Sequence, residues 1–112
     1  MYKNSKIAVI LPVYNEVKNI EKVVNTMPEF IDEIIIVDDK SNDGTLDLLK
    51  ILKKTIKKIT IIEREKNEGS GAAKRDGYLY SRKTDHKYFI TMDGDGQMDP
   101  KEIKSLIKPL TE

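Results

Sequence analysis

Four short apolar runs, separated by amphipathic segments, are the feature that most constrains how this chain can fold. The runs are rich in β-branched residues and nearly continuous rather than alternating; they cover residues 7–11, 33–37, 58–62 and 88–92. Continuous runs of this kind are typical of strands that are covered on both faces. We therefore predict four strands of a largely parallel sheet.

The segments between the runs have the period of helices. Apolar residues recur every three or four positions, as in Ile20, Val23 and Met27, while charged residues lie on the other face. Strands that alternate with helices predict a single α/β domain over residues 1–112, with right-handed crossovers. The predicted helices cover residues 16–27, 45–54 and 70–81, and a fourth begins near Pro100, since proline suits the first helical turn.

Composition excludes several classes of function. The 20 basic residues are balanced by 19 acidic ones, which argues against nucleic acid as the main partner. The chain has no cysteine, so it has no disulfide and no zinc–thiolate site. No apolar run approaches the roughly 18 residues needed to span a bilayer. From these observations we expect a soluble cytoplasmic protein.

Polar loops follow all four predicted strands. In open parallel sheets, ligands bind beyond the carboxyl ends of the strands, where the strand order reverses. This rule selects residues 12–16, 38–44, 64–71 and 93–99, and three of these loops carry carboxylates within two residues of the strand end. We therefore expect the functional site at this edge of the sheet.

The last loop, "DGDGQMD", places Asp93 and Asp95 one residue apart after a hydrophobic strand. Two carboxylates this close repel one another unless a cation lies between them or one is protonated. Mg²⁺ and Mn²⁺ take such oxygen ligands, often together with phosphate. An ordinary acidic turn, with Asp99 capping the next helix, is the simpler interpretation. A calcium loop is excluded, because Met98 and Lys104 stand where that loop needs glycine and glutamate.

The second loop, "DDKSNDG", contains another pair of carboxylates. Asp38 and Asp39 alternate in direction, so at most one of them points into a shared cleft. An acid at this position commonly accepts hydrogen bonds from the base or ribose of a nucleotide. We predict that residues 41–43 only cap the helix that begins at Thr45.

The third loop, within "NEGSGAAKRDG", opens a helix with Gly69 and Gly71, and free N–H groups at such a start suit phosphate. It is not a P-loop. It approaches a dinucleotide-binding fingerprint, but Lys74 replaces the third glycine; a dinucleotide-dependent oxidoreductase is therefore a distant alternative. His86 precedes the fourth strand, at the opposite end of the sheet, and we predict that it lies on the surface.

Together, these segments resemble the family 2 glycosyltransferases. The resemblance runs through "IAVILPVYNEVKNI", "DEIIIVDDKSNDGT", "NEGSGAAKRDGY" and "FITMDGDGQMDP", in the order and spacing of the family. It is greatest to the branch of dolichyl-phosphate mannose synthase and related polyprenyl-phosphate transferases. The resemblance implies a GT-A (Rossmann-like) parallel sheet in strand order 3-2-1-4, truncated after the D-x-D motif.

The resemblance also implies roles for single residues. Asp93, Asp95 and Gln97 would hold Mg²⁺ or Mn²⁺ on the diphosphate of a UDP- or GDP-linked sugar, in an inverting transfer. In this strand order the first and fourth loops are neighbours, so Glu16 and Asp95 could share one ligand. The residues expected to bind the nucleotide are Pro12, Tyr14, Glu16, Asp39, Gly71 and Asp93.

Family members usually continue well beyond this length. We therefore expect the chain to be the donor-binding half of an enzyme whose catalytic base lies beyond residue 112. The implied acceptor is a polyprenyl phosphate, which would place the protein at the cytoplasmic face of a membrane, or a saccharide. A non-catalytic module that binds nucleotide or nucleotide-sugar is the alternative. An apolar face left without its second half would favour self-association.

Overall fold

The computed structural model describes residues 5–92. Strands and helices alternate along this part of the chain. They are β1 (Ile7–Val13), α1 (Ile20–Asn25), β2 (Glu33–Asp38), α2 (Thr45–Thr55), β3 (Ile59–Glu63), α3 (Ser70–Ser81) and β4 (Tyr88–Thr91). The strands lie within two residues of the predicted runs, and α3 has the predicted bounds. The helix predicted near Pro100 lies outside the described residues.

The strands form one parallel sheet in the order β3-β2-β1-β4. Strand β1 is central, and it pairs with β2 from Ala8↔Glu33 to Val13↔Asp38 and with β4 from Ile7↔Tyr88. All seven residues of β1 are buried. The α/β class and the 3-2-1-4 order are confirmed.

Helices cover both faces of this sheet, as continuous apolar strands require. Successive crossovers from β1 to β2 and from β2 to β3 run in one direction, so α1 and α2 lie on the same face. The crossover from β3 to β4 runs back, which puts α3 on the other face. The α1/α2 side has the larger core, formed around Val9, Leu11, Ile34, Ile36, Ile20, Val24, Leu49 and Leu52. The α3 side has a smaller core, formed by Ala8, Ile10, Ile35, Val37 and Ala73.

Gly77 allows α3 to approach the sheet closely. A Cβ atom added at Gly77 would lie 2.5 Å from Ile10 Cγ2 and 3.3 Å from Val37 Cγ2. Any side chain at this position would therefore push α3 away from the centre of the sheet.

Helix α1 is shorter than predicted. It has six residues, whereas the periodicity indicated residues 16–27. Asn15 has a φ of 53°, which no helix continues through. Glu16 N donates to the side chain of Thr45, the first residue of α2, and Val17 N donates to that of Asp43 in the second loop. A turn precedes α1, in which Glu16 O accepts from Asn19 N and Ile20 N, and the contacts with Thr45 and Asp43 fix this turn in place.

His86 is not on the surface, and this prediction is wrong. Its side chain is 8% exposed, and Nε2 lies 2.7 Å from Glu33 Oε1. The other oxygen of Glu33 accepts from Tyr80 Oη at 2.7 Å and from Thr60 Oγ1. Burial would raise the pKa of Glu33, but the hydrogen bonds from Thr60, Tyr80 and His86 outweigh it and lower that pKa. The cluster joins β2, β3 and the end of α3 at the amino edge of the sheet.

None of the helices within residues 5–92 is long and apolar enough to cross a membrane.

Candidate functional site

The loops that follow β1, β2 and β3 begin at one edge of the sheet. Val13 pairs with Asp38, and Asp38 pairs with Glu63, so these strands end in register. Met92 N donates to Ile10 O at 2.9 Å, so β4 ends beside the middle of β1 while running towards the same edge. The order of the strands reverses between β1 and β4, and sites in such sheets form at that reversal.

The first and second loops are joined by side-chain hydrogen bonds. Asp38 is 2% exposed and accepts from Ser41 Oγ at 2.6 Å and from Ser41 N at 3.1 Å. Ser41 Oγ in turn accepts from Asn15 N at 2.9 Å, while Asn15 Oδ1 accepts from Asn42 N at 2.8 Å. Asp38 therefore supports the two loops.

Thr45 and Asp43 make the second junction between these loops. Thr45 is fully buried, and its Oγ1 accepts from Glu16 N at 3.0 Å while it donates to Asp43 Oδ1. Asp43 also accepts from Thr45 N and from Val17 N. Burial would raise the pKa of Asp43, but these hydrogen bonds outweigh it and lower that pKa.

The prediction that residues 41–43 only cap α2 is wrong, because Ser41, the backbone of Asn42 and Asp43 all bind residues 15–17. Asp43 does contact the first residue of α2. The residue at the N-cap position is Gly44, which has no side chain to cap the helix and adopts a φ of 96°.

Asp39 lies on the opposite side of the sheet from Asp38, as alternation along β2 requires. It is 3% exposed. Its Oδ2 accepts from Gly69 N at 2.9 Å and its Oδ1 from Glu68 N at 3.3 Å. Of the two carboxylates in "DD", Asp39 is thus the one directed towards the third loop and the start of α3. Pro12 is buried in β1 beside β2, where it pairs with Val37.

Gly69 and the first turn of α3 form the next part of the site. Gly69 has φ 93° and ψ 169°, a conformation that is essentially restricted to glycine. The first N–H groups of a helix have no partner within it, and the first turn of α3 contains no acidic residue. Gly71 is exposed in this turn, and an added Cβ would meet no atom within 4 Å. This end of α3 is open and suited to an anion.

Tyr14 and Glu16 occupy the loop between β1 and α1. Tyr14 is 43% exposed. Glu16 is half-buried, and its Oε2 accepts from Asn19 Nδ2 at 3.1 Å. Both residues lie at the same edge as Asp39, though the side chains of Tyr14 and Glu16 make no described contact with Asp39.

Arg64 is a residue of this edge that the sequence reasoning missed. It follows β3 directly, and its side chain is only 7% exposed. Its guanidinium lies 2.8 Å from Glu68 Oε1, 3.1 Å from Asp76 Oδ2 and 3.6 Å from Asp39 Oδ1. The register of β2 with β3 could have indicated it, because continuing that register by one residue sets Arg64 opposite Asp39.

The predicted metal ligands Asp93, Asp95 and Gln97 lie outside the described residues. Within residues 5–92, no group of three His, Cys, Asp or Glu side chains is arranged to hold a metal ion. Met92, the residue before Asp93, is hydrogen-bonded to Ile10 in the middle of β1.

Residues 8–112 match the sequence profile of Glycosyl transferase family 2. The chain belongs to this family. It is 35% identical over 117 residues to UDP-N-acetylglucosamine–dolichyl-phosphate N-acetylglucosaminyltransferase of Methanococcus voltae, a match that covers 93% of this chain and 47% of that enzyme. The chain therefore spans about half the length of this family 2 relative.

Two solved glycosyltransferases share the fold. Glucosyl-3-phosphoglycerate synthase from Mycobacterium tuberculosis, in complex with Mn²⁺, UDP and glucosyl-3-phosphoglycerate, gives a TM-score of 0.72 at 25% identity, over 96% of this chain and 40% of that chain. The mannosyltransferase PcManGT from Pyrobaculum calidifontis, in complex with GDP-Man and Mn²⁺, gives a TM-score of 0.77 at 20% identity, over 98% of this chain and 32% of that chain. The resemblance to family 2, its polyprenyl-phosphate branch and the GT-A fold is confirmed.

Proposed function

We propose that this chain binds a nucleoside-diphosphate sugar at the carboxyl edge of its sheet and forms the donor half of an inverting, metal-dependent glycosyltransferase. The observation that carries the proposal is the hydrogen bond between Asp39 and the open start of α3 at the carboxyl edge of the sheet, where Pro12 lies beside the end of β2. Family membership supplies the class of reaction, transfer of a sugar from a nucleotide.

In this proposal the base of the nucleotide lies against Pro12, and Asp39 accepts a hydrogen bond from the base or ribose. Tyr14 and Glu16 line the side of the same pocket. The N–H groups around Gly71 face the diphosphate, because the positive end of a helix favours anions.

Asp93, Asp95 and Gln97 would hold the divalent cation. Their oxygen atoms suit Mg²⁺ or Mn²⁺, and both structural neighbours were solved with Mn²⁺. When bound, the cation supplies Lewis acidity that stabilises the charge of the departing nucleoside diphosphate.

The reaction that fits this arrangement is a single in-line displacement. An oxygen of the acceptor forms a bond to the anomeric carbon while the bond from that carbon to the diphosphate oxygen breaks, which inverts the anomeric configuration. The base that accepts the acceptor proton is proposed to lie beyond residue 112. This chain's own contribution is to bind and orient the donor.

The proposed donors are UDP- or GDP-linked sugars, since one structural neighbour holds UDP and the other GDP-Man. The proposed acceptor is a polyprenyl phosphate, by analogy with the dolichyl-phosphate relative, or a saccharide. A polyprenyl acceptor would bring the protein to the cytoplasmic face of a membrane. Self-association stays a prediction, which light scattering of the purified protein checks.

A binding module without catalysis is the second candidate, because the chain spans less than half of the relative's length. Turnover separates the two. The purified protein is incubated with UDP-GlcNAc or GDP-Man, a short-chain polyprenyl phosphate and Mn²⁺, and released nucleoside diphosphate and glycolipid are quantified. Transfer that EDTA abolishes supports the enzyme. Binding of donor without transfer supports the module only if a form extended beyond residue 112, assayed beside this chain, also fails to transfer, because the proposed base lies beyond that residue.

A further inference from the structure

Arg64 is bound by acids from three segments that meet at the proposed base pocket. Asp39 follows β2, Glu68 belongs to the third loop and Asp76 to α3, and all three lie within 3.6 Å of one guanidinium. Arg64 N also donates to Asp38 O at 2.9 Å, so the backbone of Arg64 is fixed to the end of β2. One cation therefore sets the relative positions of these three segments.

One nitrogen of this guanidinium is left without a hydrogen bond. Arg64 Nη1 is buried and has no partner among the described residues, and its distance of 3.6 Å to Asp39 Oδ1 is an ion-pair distance. Buried donors are rarely left unpaired, so Arg64 Nη1 is able to bind a further acceptor. The unpaired donor lies beside the carboxylate that the proposed function assigns to the nucleotide.

The hydrogen bonds of Asp39 show what remains available on that carboxylate. An ionised carboxylate has about four acceptor positions, and two N–H groups, from Glu68 and Gly69, use one on each oxygen. Arg64 approaches Oδ1 from a further direction. The carboxylate is thus held in one orientation with acceptor capacity left over.

We propose that Arg64 is a positioning residue for recognition of the nucleotide base, an inference that rests on the proposed function. Arg64 holds the Asp39 carboxylate in one orientation as an acceptor, which pairs with a base that has a ring N–H next to a carbonyl. Uracil and guanine have this edge. Cytosine and adenine have an unprotonated ring nitrogen there, whose lone pair a carboxylate repels. Asp39 therefore selects against these two bases, and Arg64 holds Asp39 in the position that this selection needs.

The planar fork of arginine is what this role requires. Nε and Nη2 are engaged by Asp76 and Glu68 in fixed directions, which leaves Nη1 aimed at Asp39. Lysine keeps the positive charge but has no such fork. Arg64→Lys therefore separates the geometry of Arg64 from its charge.

The test measures binding of UDP against CDP and of GDP against ADP by titration calorimetry with Mn²⁺. The protein is expected to prefer UDP to CDP, or GDP to ADP, by at least about tenfold. Asp39→Asn and Arg64→Lys should both bring that ratio close to one. Arg75→Lys is the matched control, because Arg75 is 66% exposed and comes only within 3.8 Å of Asp76; it should keep the ratio of the unaltered protein.

Melting curves of each variant check the fold. If Arg64→Lys does not fold, Glu68→Gln tests the same proposal, since Glu68 is 55% exposed and contacts only Nη2 of Arg64. Glu68→Gln should lower the preference for UDP over CDP, or for GDP over ADP, at least threefold. A purely structural Arg64 would weaken UDP and CDP equally and leave the ratio intact, which overturns the proposal. Equal binding of all four nucleotides by the unaltered protein would also overturn the proposal for Arg64, although the proposed donor site would then stand. Binding of none of them overturns both.

Discussion

Replacing Gly77 with alanine would place a methyl group where the sheet already lies. The new Cβ would be 2.5 Å from Ile10 Cγ2 and 3.3 Å from Val37 Cγ2. Neither neighbour has room to withdraw, because Ile10 is 1% exposed and Val37 is fully buried. Helix α3 would have to shift outward and loosen its packing on β1 and β2.

Two effects of opposite sign decide the result. Overpacking of a core costs about 1 to 3 kcal/mol, and the contact with a rigid β-branched residue on the central strand places Gly77→Ala at the upper end. Alanine in a helix interior contributes up to about 1 kcal/mol over glycine. We expect a net loss of about 1 to 2 kcal/mol in the free energy of unfolding.

Gly71→Ala is the control, since it makes the same substitution in the same helix without the clash. No atom lies within 4 Å of its Cβ, so the entropic gain of up to about 1 kcal/mol should appear alone. Urea unfolding followed by circular dichroism should shift the midpoint down for Gly77→Ala and leave it unchanged or raised for Gly71→Ala. A midpoint for Gly77→Ala at or above that of the unaltered protein would refute the close approach of α3.

Three further substitutions test other contacts by the same unfolding assay. Thr45→Val keeps the shape but leaves the Glu16 N–H without its acceptor, so it should cost about 1 to 3 kcal/mol; a neutral result would contradict the junction between the first two loops. Gly69→Ala forces a side chain into φ 93° and should cost about 1 to 3 kcal/mol, together with weaker nucleotide binding, because Gly69 N donates to Asp39. The pKa of Glu33 is lowered in the fold from its ordinary value of 4.5, so its ionised form stabilises the protein above that pH and the stabilisation is lost as the pH falls through the folded-state value. Glu33→Gln should therefore destabilise at pH 7 and flatten the loss of stability in acid; an unchanged acid limb would contradict this.

The sheet could be predicted from the sequence because its signals are local. Strands that are buried on both faces require continuous apolar runs, and the segments between these runs have the period of helices. The parallel arrangement then puts the polar loops at the carboxyl ends of the strands. Alternation along β2 also predicted that Asp38 and Asp39 point in different directions, as their separate partners Ser41 and Gly69 show.

The remaining features depend on contacts between distant segments. The segment before α1 is fixed by Thr45 and Asp43, which accept from the N–H groups of Glu16 and Val17 and lie more than 25 residues away. The burial of His86 needs Glu33, which is 53 residues distant. Arg64 stands in the sequence among other charged residues of the third loop, and only the register of β2 with β3 shows that it lies beside Asp39. Gly77 offered a signal that could have been used, since a glycine within a helix often marks close packing.

The central claim is that a divalent cation and a nucleoside diphosphate bind together at the carboxyl edge. Thermal unfolding with UDP-, GDP-, CDP- and dTDP-linked sugars, in Mn²⁺ and then in EDTA, tests it directly, since a ligand that binds only the folded state raises the melting temperature. We predict a rise for UDP- or GDP-linked sugars that requires Mn²⁺ and disappears in Asp95→Asn. A rise that persists in EDTA and in Asp95→Asn, or no rise with any of the four donors, would contradict the account.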